Sequence, residues 1–271
     1  MRIRVVATGG PLAAEAVEPV RAIAAEIDPS LELDFHSTCF AAHGHFAGSD
    51  KERADAFVDA ANHPAIDAVW FARGGYGTCR IAEDVLARLA PEARGKTYLG
   101  YSDSGYLFAG LYKAGFANLF HGPMPGDVVK SGREPIERAL RWMALRDPRC
   151  LEPSLDGTPA AAFNMICFGQ LLGTPLEPDL GGHVLMLEEV GEHLYRIDRT
   201  LFHITSQASM QRLAGLRLGR CAPIPDNDPP FGQEEEEIAR YWCERSGIRY
   251  LGRADIGHDG ENKVVPFGRS S

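Results

Sequence analysis

The feature that most constrains the fold is an alternation, kept up from residue 3 to about residue 148, of short apolar runs with longer helical stretches. "IRVVAT", "LELDFH", "AIDAVWFA", "TYLGYS" and "ANLFHG" read as strands. "PLAAEAVEPVRAIAAEI", "SDKERADAFVDAANH", "CRIAEDVLARLA" and "DSGYLFAGLYKAG" read as the helices between them. A strand followed by a helical crossover re-enters its sheet in the same direction, so this order predicts a parallel sheet covered by helices, a doubly wound α/β unit. The second helix carries its own start signal: Ser49 with Glu52 three residues on forms a capping box.

The pattern then breaks. "RDPRCLEPSLDGTPAA", residues 146–161, is rich in Pro and Asp and follows neither the helical nor the strand period, which places a linker there. The division expected is an α/β domain over 1–148, a linker over 149–161 and a smaller, β-rich α+β domain over 162–271. In the last of these "HVLMLEEV", "LRLGRCAPI" and "IRYLGRADIG" read as strands, with helices at about 198–214 and 233–246. The acidic run Glu234 to Glu237 fits the first turn of the later helix, where free N–H groups favour carboxylates.

Composition excludes several roles. A chain of 271 residues with 45% hydrophobic content can bury a sizeable core. Its net charge of −9, with no cluster of Lys and Arg, argues against nucleic acid as a partner. No apolar run approaches the 18 or so residues a membrane helix needs, and "MRIRVVATGGPLAAEAVEPV" does not read as a signal peptide, so no membrane association and a cytoplasmic location are expected. The six cysteines, Cys39, Cys79, Cys150, Cys167, Cys221 and Cys243, are scattered without C-x-x-C spacing and read as reduced thiols. His43 and His45 are the only closely spaced histidines, and with no third ligand nearby they read as a polar loop; no metal is expected.

In an open parallel sheet the ligand site lies beyond the carboxyl ends of the strands. Two such ends carry suitable chemistry. "ARGGYGT" offers Gly74, Gly75 and Gly77, which let backbone N–H groups approach a ligand closely, or which simply make a turn. In "TYLGYSDSG" Ser102 stands where a strand turns into a helix, the position of a nucleophile elbow, although Gly100-Tyr101-Ser102-Asp103-Ser104 departs from G-x-S-x-G and a serine there can equally be an N-cap. A serine nucleophile needs a histidine base and a carboxylate behind it. Downstream, Glu188 and Glu189 end one apolar strand and His258 follows another in a glycine-flanked loop. No G-x-G-x-x-G or P-loop is present, so a nucleotide cofactor is not indicated. Two other readings stay open on these residues: Cys79, just past the glycine loop, as the nucleophile of a thiol amidase, and a non-catalytic binding protein that keeps the pocket.

The blocks "FAGSDKERADAFVDA", "IDAVWFARGGYGTCRI", "LGYSDSG", "LFHGPMPGD", "LLGTPLEPD", "VLMLEEVGEHLYRIDRTL" and "GHDGENKVVPFG", in this order, resemble the LD-carboxypeptidases, the peptidase family that includes muramoyltetrapeptide carboxypeptidase and the microcin-immunity hydrolases. The likeness runs almost end to end. It implies a flavodoxin-like N-terminal domain, a smaller β-rich C-terminal domain, a cytoplasmic enzyme that is commonly a homodimer, and no cofactor. It implies a Ser-His-Glu triad of Ser102, His258 and Glu188, with Glu192 as the rival acid, and an oxyanion hole from the N–H groups of Asp103 and of Gly75 or Gly74. The reaction implied is removal of a terminal D-alanine from muropeptide tetrapeptides during peptidoglycan recycling. The start "VVATGGPL" and the Ser104-Gly105-Tyr106 that follows the nucleophile block depart from the family pattern, which bears on the substrate pocket and leaves open another conjugate such as a peptidyl-nucleotide. Arg73, beside the glycine loop, is a candidate partner for the substrate's terminal carboxylate.

Overall fold

The computed structural model describes residues 1–269. A six-stranded sheet is built from β1 (Arg2–Val6), β2 (Glu32–Phe35), β3 (Ala68–Phe71), β4 (Thr97–Gly100), β5 (Leu119–His121) and a late strand introduced below. β1 to β5 are mutually parallel in the spatial order 2-1-3-4-5, the flavodoxin-like arrangement. The helices between them are α1 (Val17–Ile27), α2 (Asp50–Asn62), α3 (Ala82–Ala87) and α4 (Gly105–Lys113), followed by α5 (Asp127–Ser131) and α6 (Arg133–Leu145).

The helices cover both faces, and β3 shows why the central strands are apolar without alternation. Its four residues are all buried: Ala68 and Trp70 pack with Val20, Ile23 and Leu140 on one side, while Val69 and Phe71 pack with Phe57, Val85 and Phe108 on the other. Fully burying side chains of this size stabilises by roughly 1.5–3 kcal/mol each. α2 begins at the expected capping box, with the Glu52 carboxylate accepting from Ser49 N–H at 2.8 Å.

The second sheet has four parallel strands in order: β6 (Ala160–Asn164), β7 (Val184–Glu189), β8 (Gly215–Cys221) and β9 (Tyr250–Arg253). α7 (Met165–Leu171), α8 (Leu194–Ser206) and α9 (Glu235–Ser246) are its helices. One hydrophobic cluster joins the two sheets, because Phe163, Leu185, Leu187 and Leu218 belong to the same core as Val69, Phe71 and Phe108.

Two local expectations change, and one further strand is found. β6 begins inside the segment read as linker: "AAAFN" lacks β-branched residues, but all five are buried, Ala160 and Ala162 on one face and Ala161 and Phe163 on the other, and burial overrides weak propensity. α8 spans Leu194–Ser206 rather than 198–214. It stops because Thr205 and Ser206 turn their hydroxyls back onto the carbonyls of Leu201 and Phe202, at 2.8 and 2.6 Å, and Gln207 is extended. Finally, β10 (Val265–Pro266) pairs antiparallel with β5 at the edge of the first sheet, while Val265 packs against Ala160 and Ala162 of β6. That pairing carries the loop containing His258 across the carboxyl ends of both sheets. The acidic run starts α9 as expected, with the Glu237 carboxylate accepting from Glu234 N–H at 2.9 Å.

Candidate active site

β4 ends at Gly100, Tyr101 is still extended, and Ser102 then takes φ = 63° before a 3-10 turn over Ser102–Ser104 runs into α4. Left-handed backbone costs a serine on the order of 1–3 kcal/mol and persists only where its surroundings impose it. Two side chains impose it here. The Asp103 carboxylate accepts from Thr78 N–H at 2.7 Å, tying the turn to the glycine loop after β3, and the Ser104 hydroxyl donates to the Tyr101 carbonyl at 2.7 Å. Burial pushes the Asp103 carboxyl upward, opposed by its bonds to Thr78. The sequence pointed to the Asp103 N–H alone; its side chain, which fixes the turn, carried no separate signal.

The turn aims Ser102 Oγ at His258 Nε2, 3.1 Å away, while His258 Nδ1 is hydrogen-bonded to Glu188 Oε2. Glu188, next to last in β7, is fully buried, with Gly219 of β8 making room for it: a Cβ on Gly219 would lie 2.9 Å from that of Glu188. Gly74 does the same for the hydroxyl, since a Cβ there would stand 2.8 Å from Ser102 Oγ. Burial disfavours the charged imidazole, but the charge and hydrogen bond of Glu188, backed by Glu189 and Asp127, outweigh it and raise the pKa of His258.

Around this line, three elements hold the histidine loop. Arg220 of β8 donates to Asp259 at 2.8 Å and also reaches Asp255, so the guanidinium grips both sides of His258. His121 of β5 donates to Asn262 Oδ1 at 3.1 Å, and the same oxygen accepts from Gly257 N–H at 3.2 Å. Burial drives His121 down to about 4, so it is neutral near pH 7. Arg138 of α6 donates to the carbonyls of Gly260 and Asn262 at 2.8 and 3.0 Å. Below the imidazole, the Tyr101 ring lies 4.8 Å from that of His258, and its hydroxyl donates to Asp127, whose other oxygen accepts from Met124 N–H. Sequence reasoning missed these supports; the acids flanking His258 in "ADIGHDG" were the one available cue.

The three residues open onto a cleft of about 430 Å³ lined by Leu12, Arg73, Gly74, Gly75, Tyr101, Met124, Asp127, Lys130 and Val190, among others. Gly75 has φ = 98° and lines the same cleft as the serine.

Two sequence profiles match this chain: one described as the LD-carboxypeptidase N-terminal domain, over residues 3–122, and one described as the LD-carboxypeptidase C-terminal domain, over residues 161–271. The chain belongs to the LD-carboxypeptidase family. A relative from Streptomyces coelicolor, named as a putative carboxypeptidase, is 34% identical over 98% of this chain and 88% of its own length. The murein tetrapeptide carboxypeptidase of Pseudomonas aeruginosa is 24% identical, covering 94% of this chain and 91% of its own. Among solved structures, muramoyltetrapeptide carboxypeptidase from Oxalobacter formigenes superposes with a TM-score of 0.82 at 24% identity, covering 100% of this chain and 96% of that one. The microcin C7 self-immunity protein, in complex with aspartyl sulfamoyl adenosine, shares the fold with a TM-score of 0.79 at 16% identity, over 98% and 91% of the two chains.

In this member of the family the other candidate residues have partners of their own. Glu192 forms an ion pair with Arg196, one turn into α8, and does not meet the imidazole. Cys79 lies half-buried in the middle of a 3-10 turn over Thr78–Arg80, and burial with the charge of Asp103 pushes its thiol upward, away from the thiolate a nucleophile needs. His45 sets its ring edge-on to Phe46, and His43 pairs through its backbone with the same residue. Among the described residues no group of three or more His, Cys, Asp and Glu is arranged to hold a metal ion, and no helix is long and apolar enough to cross a membrane.

Glu189, beside Glu188 on β7, faces the other way. Its carboxylate accepts from Asn164 Nδ2, Ile166 N–H and Val190 N–H, all at 2.8–2.9 Å, pinning the end of the acid's strand to the start of α7. Burial and then the Glu188 charge raise it to about 7. Because the ionised Glu189 favours imidazolium, Glu189→Gln should lower the His258 pKa. The ascending limb of kcat/KM, which the wild type should show above 6.5, should move toward that value. A pH–rate profile of the two proteins reads the shift directly; a limb that stays put or moves upward contradicts the coupling.

Proposed function

We propose that this carboxypeptidase is a serine enzyme of the cytoplasm that hydrolyses an L-D amide and releases terminal D-alanine from muropeptide tetrapeptides in peptidoglycan recycling. The observation that carries the reading is the strained Ser102, its Oγ 3.1 Å from an imidazole whose far nitrogen meets a buried carboxylate. His258 Nε2 takes the hydroxyl proton as Oγ attacks the scissile carbonyl, and Glu188 holds the Nδ1–H tautomer and stabilises the imidazolium. The N–H groups of Asp103 and Gly75 cradle the oxyanion, worth on the order of 3 kcal/mol per donor. The imidazolium then protonates the leaving D-alanine nitrogen, and water, deprotonated by the same histidine, releases the acyl group from Ser102. This chemistry uses no cofactor. The reading includes a homodimer and a division into an α/β domain over 1–148, a linker over 149–161 and a C-terminal domain over 162–271 that supplies Glu188 and His258.

The test is mass spectrometry of tri-, tetra- and pentapeptide muropeptides incubated with the protein. Loss of D-alanine from the tetrapeptide is expected. Inverting the Cα of the departing residue misplaces its carboxylate, and an unpaired charge costs about 2–5 kcal/mol, so the L-alanine tetrapeptide should be slower by roughly 30-fold to several thousand-fold. Equal rates would refute the stereochemical part. Cleavage of an aspartyl sulfamoyl nucleoside with no muropeptide turnover would assign the enzyme to peptidyl-nucleotide conjugates instead.

A further inference from the structure

A carboxypeptidase must tell a free chain end from an internal amide, and this requires a cation that faces the scissile bond. Among the described residues lining the cleft, the only permanently charged cations are Arg73 and Lys130. Each is exposed, and neither pairs with a carboxylate within the described residues, although this chain carries a net charge of −9 and most of its arginines are so engaged. Arg73 spends one N–H on the Pro11 carbonyl, at 3.1 Å, and lies against Gly10 and Gly75, which leaves the rest of the guanidinium fork free.

The two cations share a wall. A Cβ on Gly126 would stand 2.9 Å from the Cβ of Arg73, so the residue that opens α5 touches the arginine's stem. Lys130 follows Gly126 by four positions, which stacks the two on one face of that turn. Asp127, the single acid lining the same cleft, has both oxygens turned away, one accepting from the Tyr101 hydroxyl and one from Met124 N–H. The wall therefore presents two unpaired positive groups beside the serine, with the local negative charge already engaged.

We propose that Arg73 and Lys130 together form the subsite that reads the free terminal carboxylate of the substrate, Arg73 through its planar fork and Lys130 as a point charge. The proposal rests on the carboxypeptidase reading above and adds the group that makes the enzyme act at a chain end. Charge-assisted hydrogen bonds of this kind are worth about 1.5–3 kcal/mol each, or roughly 10- to 150-fold.

The experiment compares an L-D tetrapeptide ending in D-alanine with the same peptide ending in D-alaninamide. In the wild type, kcat/KM should favour the acid strongly. Arg73→Met and Lys130→Met should each lower kcat/KM for the acid about 10- to 100-fold, chiefly through KM, and shrink the acid-to-amide ratio by a similar factor, with Arg73→Lys recovering part of it. The same ratio is measured as Kd by calorimetry in a Ser102→Ala background, where binding is read without turnover. Variants that keep the wild-type ratio in both measurements overturn the subsite. A collapse of the binding ratio with no turnover of either peptide by the wild type would uphold the subsite and refute the proposed reaction.

Discussion

Ser102→Ala and His258→Ala should each lower kcat for D-alanine release by about 10⁴ or more, and the double variant should be no worse than either single one. The reason is geometric. The hydroxyl is 3.1 Å from the imidazole and lies in a turn that exists to present it, so either loss removes the same proton transfer. What survives is whatever the oxyanion donors and substrate binding contribute without a nucleophile. Both variants should fold, because Ser102→Ala deletes one oxygen and the His258 loop stays gripped by Arg220, His121 and Arg138. Single-turnover kinetics with a tetrapeptide muropeptide, alongside thermal unfolding, checks this. Losses that multiply in the double variant would mean that the two residues do not act in one step.

Glu188→Gln should be nearly as damaging, with kcat lower by roughly 10³–10⁴, while Glu192→Gln should change it by less than about fivefold. An amide in place of the carboxylate can turn its NH2 toward Nδ1 and stabilise the wrong tautomer, in which Nε2 carries the proton and cannot accept one from Ser102. It also removes the charge that holds the imidazole pKa up against burial. Glu192 has no comparable effect available, since its partner is Arg196 on the neighbouring helical turn. Steady-state kinetics of the two variants on one substrate separates the roles; a crippled Glu192→Gln beside a mild Glu188→Gln would reverse the assignment of the acid.

Much of the architecture was legible because it is locally written. Strand runs that are apolar at every position, such as "AVWF", and helices with their own caps, such as Ser49 with Glu52, state their period within a few residues. The family was legible as motif blocks in a fixed order, and the same blocks carry Ser102, Glu188 and His258 as candidates. β6 was not, because an alanine run has no strand signal until both of its faces are buried by the neighbouring layers.

What the chain determined by itself was therefore its periods, its stop signals and the chemistry available at each strand end. The tertiary structure alone decided which of these ends meet. The end of β7 sets Glu188, and not Glu192, against His258, and the loop of His258 reaches the serine ahead of β10, which pairs with β5. The Asp103–Thr78 bond at the Ser102 turn, the Arg220 grip on Asp255 and Asp259, and the shared wall of Arg73 and Lys130 each join residues far apart in sequence. Such contacts depend on how two sheets pack through one core, a non-local quantity that no short window of sequence encodes.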